Sequence, residues 1–222
     1  MILQPRDISL VKDVSLSHVL SRNQVINLGY FSTVTRANTR LRELVKLGYL
    51  AKLATPFMTQ HLYVPGKKAP EIVDYRIANL IRNRGESPRF IQHALNTTNV
   101  RISLIAKGAT DWRFEQQLWR KLEGLEVRPD GLAITTKLPM FIEIDLGHVS
   151  PQKFKSKLLS YEALAVSGQC QSLYGFDKFR LLTITTGSKR AKSLSRLLPN
   201  PSYDHLVQTF ADLGVVPVGA WS

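Results

Sequence analysis

Four carboxylates and one lysine stand out in the second half of the chain: Glu115, Asp130, Glu143, Asp145 and Lys157. Glu143 and Asp145 belong to Met140-Phe-Ile-Glu-Ile-Asp145, whose β-branched and aromatic content predicts a strand. A period of two puts Phe141, Glu143 and Asp145 on one face. Two acids on one face of an otherwise apolar strand repel each other. The arrangement is tolerable when a divalent cation lies between them or when one acid keeps its proton. Hard oxygen ligands of this kind select Mg²⁺ or Mn²⁺.

Several elements must position these groups. Asp111 suits the cap of a helix running to about Leu122, with Trp112, Leu118, Trp119 and Leu122 on one stripe and Glu115 in its middle. A carboxylate on such a face needs a metal, a cation or a hydrogen-bonding partner, and a salt bridge to one of the many basic residues serves as well as a metal. Asp130 opens an extended stretch after Arg128-Pro129. Ser150-Pro151 is a helix start, with Ser at the N-cap and Pro at N1. On that helix Phe154, Leu158, Tyr161 and Ala165 form the core stripe. Lys153, Lys155 and Lys157 flank it, with Lys157 closest. Tyr161, one turn from Lys157, reads as a packing residue before it reads as a nucleophile. A strand over Arg180–Thr186 and a basic helix over 188–198, carrying Lys189, Arg190, Lys192 and Arg196, follow. The tail from Ser202 reads as a short helix and an apolar segment.

The first third predicts three helices and a hairpin. Helical spacing of Leu10, Val11, Val14 and Leu20 marks the first helix. Ser21 and Gln24 form a capping box for a short second one. Ser32 or Thr33 caps a third that runs to Leu47 and ends at Gly48. Two short strands between residues 49 and 64 complete the pattern, which resembles a winged helix-turn-helix. The third helix turns Arg36, Asn38, Thr39, Arg40, Arg42 and Lys46 away from its apolar side, and Lys52 lies on the wing. Arg and Asn make bidentate contacts to guanine and adenine edges, so these seven are the candidate DNA-binding residues, with Arg36 and Arg40 one turn apart as base readers. Between the halves, Pro65–Pro70 and Gly85–Pro88 are breaks. Helices are expected near 71–84 and 87–97, and residues 99–106 read as strand or as more helix. The expected domains are 1–66, a helical linker at 67–100, and 101–222.

The order helix, three strands, helix, strand in the second half resembles the restriction-endonuclease-like, or PD-(D/E)XK nuclease, core. The expected fold class is therefore α+β and α/β, with an N-terminal winged helix-turn-helix followed by a restriction-endonuclease-like (αβββαβ) domain. Pro129-Asp130 matches the Pro-Asp signature, and Glu143-Ile144-Asp145 matches Glu-X-Lys except that Asp145 holds the lysine position. Some members carry that lysine on the following helix, where Lys157, or Lys153, stands here. A wider succession covers nearly the whole chain: a winged helix, then Trp112 and Glu115 on a helix, Pro-Asp, Glu143-x-Asp145 with Gly147, Lys157-Leu-x-x-Tyr161, and a Thr-Thr-Gly turn followed by Arg190. It resembles the replication-relaxation family of bacterial plasmid and mobile-element proteins.

That resemblance implies Mg²⁺ or Mn²⁺ at Asp130 and Glu143, with Glu115 joining through water and the Ile144 carbonyl as a further ligand. It implies Asp130, Glu143, Asp145 and Lys157 as the catalytic set and a nick or break in double-stranded DNA as the product. Because of Asp145, two alternatives stand beside a nuclease: a catalytically inactive nuclease-fold replication or transcription factor, and an assembly subunit of a nucleoprotein machine. Other replication, mobilisation or transposition proteins are the partners implied.

Composition agrees with a nucleic-acid partner. The 222 residues carry 30 Lys and Arg against 17 Asp and Glu, a formal charge of +13, which points to a polyanion. The excess is spread along the chain, which disfavours a basic tail. A 44 % hydrophobic content is enough for packed cores and argues against disorder. A single cysteine, Cys170, excludes a disulfide framework or a cysteine-based zinc site and fits a reducing compartment. No apolar run approaches a membrane span, and the N-terminal residues lack a signal-peptide pattern. The bacterial cytoplasm, with association to nucleoid or plasmid, is the expected location.

Overall fold

The computed structural model of the chain describes residues 2–55, 61–73, 87–122 and 125–219. By internal contacts the chain falls into two compact units, Met1–Ile102 with Val218–Ser222, and Ser103–Pro217.

The first unit runs α1 (Pro5–Ser17), β1 (Leu20–Ser21), α2 (Arg22–Asn27), α3 (Val34–Lys46), β2 (Leu50–Leu53) and β3 (Leu62–Pro65). The caps are those the sequence indicates. The Ser21 hydroxyl accepts from the Gln24 amide at 3.2 Å while the Gln24 side chain accepts from the Ser21 N–H at 3.0 Å. Thr33 caps α3 by accepting from the Arg36 N–H at 3.3 Å. Gly48 follows α3 at φ +84°, a left-handed conformation that glycine adopts without strain. The three strands form one antiparallel sheet in the order β1-β3-β2. Leu10, Val11, Val14, Leu20, Val25, Phe31, Ala37, Leu41, Leu44 and Leu50 fill the core beneath it. The two-residue β1 is too short to show periodicity and goes unmarked in the sequence.

A helix, α4 (Pro88–Ala106), resolves the ambiguous 99–106 stretch as helix. Within the first unit it is held by polar contacts. The Gln24 side-chain amide donates to the Leu95 carbonyl and the Asn99 side chain at 2.8 and 2.7 Å, and Arg101 pairs with the buried Asp13 at 2.5 Å. The helix expected at 71–84 falls almost wholly on residues 74–86, outside the described residues. Ala69–Glu71 form a single 3-10 turn.

The second unit contains β4 (Asp111–Phe114), α5 (Glu115–Leu118), β5 (Arg120–Leu122), β6 (Leu125–Val127), β7 (Gly131–Ile134), β8 (Met140–Asp145), α6 (Pro151–Val166), α7 (Cys170–Tyr174), β9 (Arg180–Thr185), α8 (Ser188–Ser195) and β10 (Asp204–Thr209). Five strands make one mixed sheet in the order β10-β9-β8-β7-β4. β4, β7 and β8 form an antiparallel meander. β9 and β10 then run parallel to β8, each reached through helices, as parallel neighbours require. β5 and β6 form a separate two-stranded hairpin. Phe141, Phe154, Leu158, Tyr161, Leu164, Phe179, Leu181 and Tyr203 form the core on one sheet face.

Two expectations are corrected here. Residues 111–122 are not one helix: β4 pairs with β7 from Asp111↔Ile134 to Phe114↔Gly131, and only one helical turn follows. The ladder satisfies the backbone of 111–114, so Asp111 caps nothing. Trp112 and Leu118 are buried, as on the expected stripe, but by a strand and a turn, while Trp119 is left 44 % exposed. The tail opens with a parallel strand that was not expected, β10, and its short helix is a single 3-10 turn at Ala211–Leu213; β10 covers the edge of β9 that would otherwise present unpaired backbone groups. Among the described residues no helix is long and apolar enough to cross a membrane.

Arg40 is the structural hinge of the first unit. Its guanidinium reaches Asp7 at 3.0 and 2.5 Å and Glu43 at 2.6 Å. Burial works to raise the Asp7 carboxyl, but the Arg40 hydrogen bonds, the Gln4 N–H and the charges of Arg40 and Arg6 outweigh it and hold it below the usual carboxylate range. Arg40→Ala should cost about 3 kcal/mol in urea unfolding, the low end for breaking a buried pair, because Arg6 remains near the orphaned charge. A depressed folded value means the stabilisation is complete above the unfolded carboxylate pKa of about 3.9 and is lost as pH falls through the folded one. The stability gap between wild type and Asp7→Asn, followed by unfolding between pH 6 and pH 2, should therefore close on the acid side.

Candidate functional site

The polar stripe on β8 and β9 is fully enclosed. Glu143 and Asp145 are each 1 % exposed, and register places them beside Thr183 and Thr185, which are also buried. Burial of two carboxylates this close demands partners, and the partners come from different helices. The α6 cap sets the first pairing: the Ser150 hydroxyl accepts from the Lys153 N–H at 3.3 Å with Pro151 at N1. Counting from that start, Phe154, Leu158 and Tyr161 turn toward the sheet with Lys157 one turn before Tyr161. The Tyr161 hydroxyl donates to Glu143 Oε1 at 2.7 Å, and the Lys157 ammonium donates to Glu143 Oε2. Asp145 is held by α8. Arg190 donates through Nε at 2.8 Å and Nη2 at 3.0 Å, and the Thr185 hydroxyl adds a third bond at 2.8 Å. Arg190 also donates to the Val149 carbonyl at 2.6 Å, tying α8 to the loop after β8.

Asp130 approaches from β7. Its N–H donates to the Ile142 carbonyl at 3.0 Å and its Oδ2 accepts the Ile144 N–H at 2.7 Å, so the carboxylate is fixed beside Glu143 along β8. The next residue makes this approach feasible: a Cβ on Gly131 would lie 2.2 Å from the Trp112 ring, so only glycine lets β7 pass beneath that indole. Glu115, at the start of α5, pairs with Arg128 Nε at 2.5 Å. Arg128 is the basic partner that the salt-bridge reading of Glu115 calls for.

Electrostatics join these groups into one cluster. Burial pushes the Glu143 carboxyl up; the Lys157 charge opposes this and the Asp130 charge adds to it, and the net direction is upward. Burial works against the Lys157 ammonium, yet Glu143, Asp130 and Glu115 together raise its pKa above the ordinary lysine value. It is cationic at neutral pH. Its side chain is nonetheless 42 % exposed, so one end of the cluster opens to solvent. Burial, then the Glu143 charge, drives the Tyr161 phenol well up. A phenol that keeps its proton and donates to a carboxylate is a positioning group, which fits the packing reading and not that of a nucleophile.

The donor set, two hard carboxylates beside a solvent-open lysine, has the chemistry of a hydrated Mg²⁺ site, since that ion is commonly held by one or two carboxylates and keeps several waters. Among the described residues no group of three or more His, Cys, Asp or Glu side chains is placed to hold one ion.

On α3 the structure leaves Arg36, Thr39, Arg42 and Lys46 exposed, with Asn38 half-buried, and Lys52 is exposed on β2. Arg40 is corrected from base reader to ion-pair partner, because a fully buried Asp7 requires its cation. Sequence reasoning missed the roles of Arg190, Arg128 and Tyr161 as partners of Asp145, Glu115 and Glu143. A signal existed in each case: every acid placed on an apolar face obliges some basic or hydroxyl group to meet it.

A family model described as replication-relaxation matches residues 12–178. A search of curated proteins finds no match. Among solved structures, protein VC1899 from Vibrio cholerae aligns over 96 % of this chain and 55 % of its own, at 13 % identity and a TM-score of 0.32. This chain therefore spans about half of that protein, and the likeness is too loose to inform the site.

The Gly131–Trp112 approach gives a direct test of how the cluster is assembled. Gly131→Ala should destabilise the second unit by about 1–3 kcal/mol in chemical denaturation, as overpacking of a rigid ring does. The near-ultraviolet signal of Trp112 should change with it, whereas Val207→Ala on β10, at the opposite edge of the sheet, should leave that signal in place.

Proposed function

The chain belongs to the replication-relaxation family, and from that premise we propose that its replication-related role is carried out by a DNA-binding first unit and a second unit that nicks or cleaves DNA with Mg²⁺. The observation that carries the proposal is the meeting of Asp130, Glu143 and Lys157, from β7, β8 and α6, in one buried but solvent-open cluster. The element order supports it. The antiparallel meander β4-β7-β8, followed by a helix and the parallel strand β9, matches the βββαβ part of a restriction-endonuclease-like core, while β4 stands where the leading helix was expected. Helix, short strand, two helices and two strands is the succession of a winged helix-turn-helix, with α3 as recognition helix and β2–β3 as wing.

On this reading Asp130 and Glu143 would hold the metal, which when bound lowers the pKa of a water and offsets charge developing on phosphate. Lys157, cationic and half-open to solvent, binds the scissile phosphate. Tyr161 fixes the Glu143 carboxylate, and the Arg190–Asp145 pair fixes the strand end and the start of α8. Double-stranded DNA reaches the first unit through Arg36, Asn38, Thr39 and Arg42 at the bases and through Lys46 and Lys52 at phosphates. Other replication, mobilisation or transposition proteins are the partners that such a role implies.

A second reading is favoured by one observation. Asp145 holds the position of the usual lysine and is locked by Arg190 and Thr185, so the unit serves as an inactive assembly surface if Lys157 does not replace that lysine.

Supercoiled plasmid with Mg²⁺ separates the two. Wild type should yield nicked or linear product. Asp130→Ala and Glu143→Ala should give none, and Lys157→Met should be slower by roughly 10²-fold, as for loss of one preorganised charge stabiliser. Product from all of these, or from none, overturns the catalytic reading. Duplex binding tests the first unit separately. Arg36→Ala and Arg42→Ala should each cost about 1–3 kcal/mol if they read bases. Lys46→Ala and Lys52→Ala should weaken all sequences alike and each lower the salt slope by about 1.

A further inference from the structure

We propose that Trp119 and Arg128 form a stacking platform for an unpaired nucleotide beside the Asp130–Glu143–Lys157 cluster, so that the second unit takes single-stranded or locally melted DNA. The inference rests on the reading of that cluster as a DNA site and names its substrate class.

Trp119 is held rigidly although it is exposed. Its N–H donates to the Glu115 carbonyl at 3.0 Å, its own carbonyl accepts from Arg120 at 2.9 Å, and its indole N–H donates to Glu126 at 3.0 Å. The first two bonds fix the backbone and the third aims the ring, and the residue is still 44 % exposed. A large flat ring aimed by its own hydrogen bond before any partner arrives has met part of the ordering cost of binding. Arg128 lies over it, its guanidinium carbon 5.5 Å from the ring centroid, and is itself aimed by Glu115 at 2.5 Å. Aromatic faces and guanidinium planes are the two surfaces on which unstacked bases rest.

The surroundings select the partner. Among the described residues, those that bond to or lie over Trp119 with a side chain are charged: Arg120, Glu126 and Arg128. The two acids nearby, Glu115 and Glu126, are occupied by Arg128 and by the indole N–H. A protein-docking patch would have an apolar centre depleted in charge; a ring set among arginines suits a polyanion carrying flat bases. The position is also right for the cluster. Arg128 stands two residues before Asp130, so their Cα atoms lie within about 7 Å of each other, and Glu115, the residue that aims Arg128, acts electrostatically on Lys157. Bases inside an intact duplex are stacked on each other and offer no face to a side chain. A base on this platform has left its stack.

The test uses the full chain, an oligothymidylate, a duplex of similar length, and Trp119→Ala and Trp119→Phe, with folding checked by circular dichroism. Wild type should bind the oligothymidylate with quenching of tryptophan fluorescence. Trp119→Ala should weaken that affinity by about 5- to 150-fold, the range for loss of one stacked base. Trp119→Phe should retain most of it, and duplex affinity should be unchanged in both. Unchanged oligothymidylate affinity in Trp119→Ala overturns the platform, as does a wild type that binds and nicks duplex but ignores the single strand. In either result the nuclease reading survives. A wild type that binds neither nucleic acid overturns both.

Discussion

A carboxylate taken out of water must find a cation or a set of donors, and β8 carries two such carboxylates on one face. Glu143 and Asp145 dictate what packs there. The helix after β8 must bring a lysine and a tyrosine one turn apart, and the helix after β9 must bring an arginine. An apolar helix in either place would strand a charge in the core at a cost of several kcal/mol. The same requirement operates in the first unit, where Asp7 and Asp13 draw in Arg40 and Arg101. Each such pair takes one acid and one base, so the net excess of +13 is carried by cations outside these pairs. The cations that remain exposed on α3 and β2 (Arg36, Arg42, Lys46 and Lys52) are the ones left for a partner.

The two buried acids are held in different ways. Asp145 faces the planar fork of Arg190, two parallel bonds and a threonine hydroxyl, an arrangement with one geometry. Glu143 faces a lysine on a flexible stem that is partly in solvent, and a tyrosine that keeps its proton. On the nuclease reading, a phosphate draws on Lys157 while the Tyr161 bond still holds the Glu143 carboxylate. Asp145 has no such exchangeable partner among the groups around it. Rigidity at one acid and exchange at its neighbour follow from the choice of Arg against Lys.

Much of this was legible in the sequence because it is local. The Ser21–Gln24 box, the Thr33 and Ser150 caps, Pro151 at N1 and the alternation of Phe141, Glu143 and Asp145 each depend on residues within one turn or one strand. What was not legible depends on distant partners. Trp112 and Leu118 are buried both on a helix and on a strand followed by a turn, so their spacing did not distinguish the two. The pairing of β4 with β7 decided it, and Gly131 beneath Trp112 is its only trace in the sequence. β10 is a strand because β9 has an edge to cover. Arg40 lies on the face of α3 that spacing marks for a partner, yet an acid 33 residues away claims it.

The departure of Asp145 from a Glu-X-Lys pattern can be weighed by charge. A strand lysine beside Glu143 would leave the site with one acid and one base on β8. Here Asp145 adds a negative charge and Arg190 cancels it through two bonds, while Lys157 supplies from α6 the positive charge that the strand does not. Counted over Glu143, Asp145, Lys157 and Arg190, the balance is zero, the same as for a glutamate and a lysine alone. What changes is origin: the mobile cation now comes from a helix whose register is set by the Ser150 cap and the Phe154–Leu158–Tyr161 stripe. On the nuclease reading, the strength of the site thus depends on the seating of α6 against β8 and not on β8 alone. A substitution that shifts that helix by a fraction of a turn would move Lys157 and Tyr161 together and leave the Asp145–Arg190 pair in place.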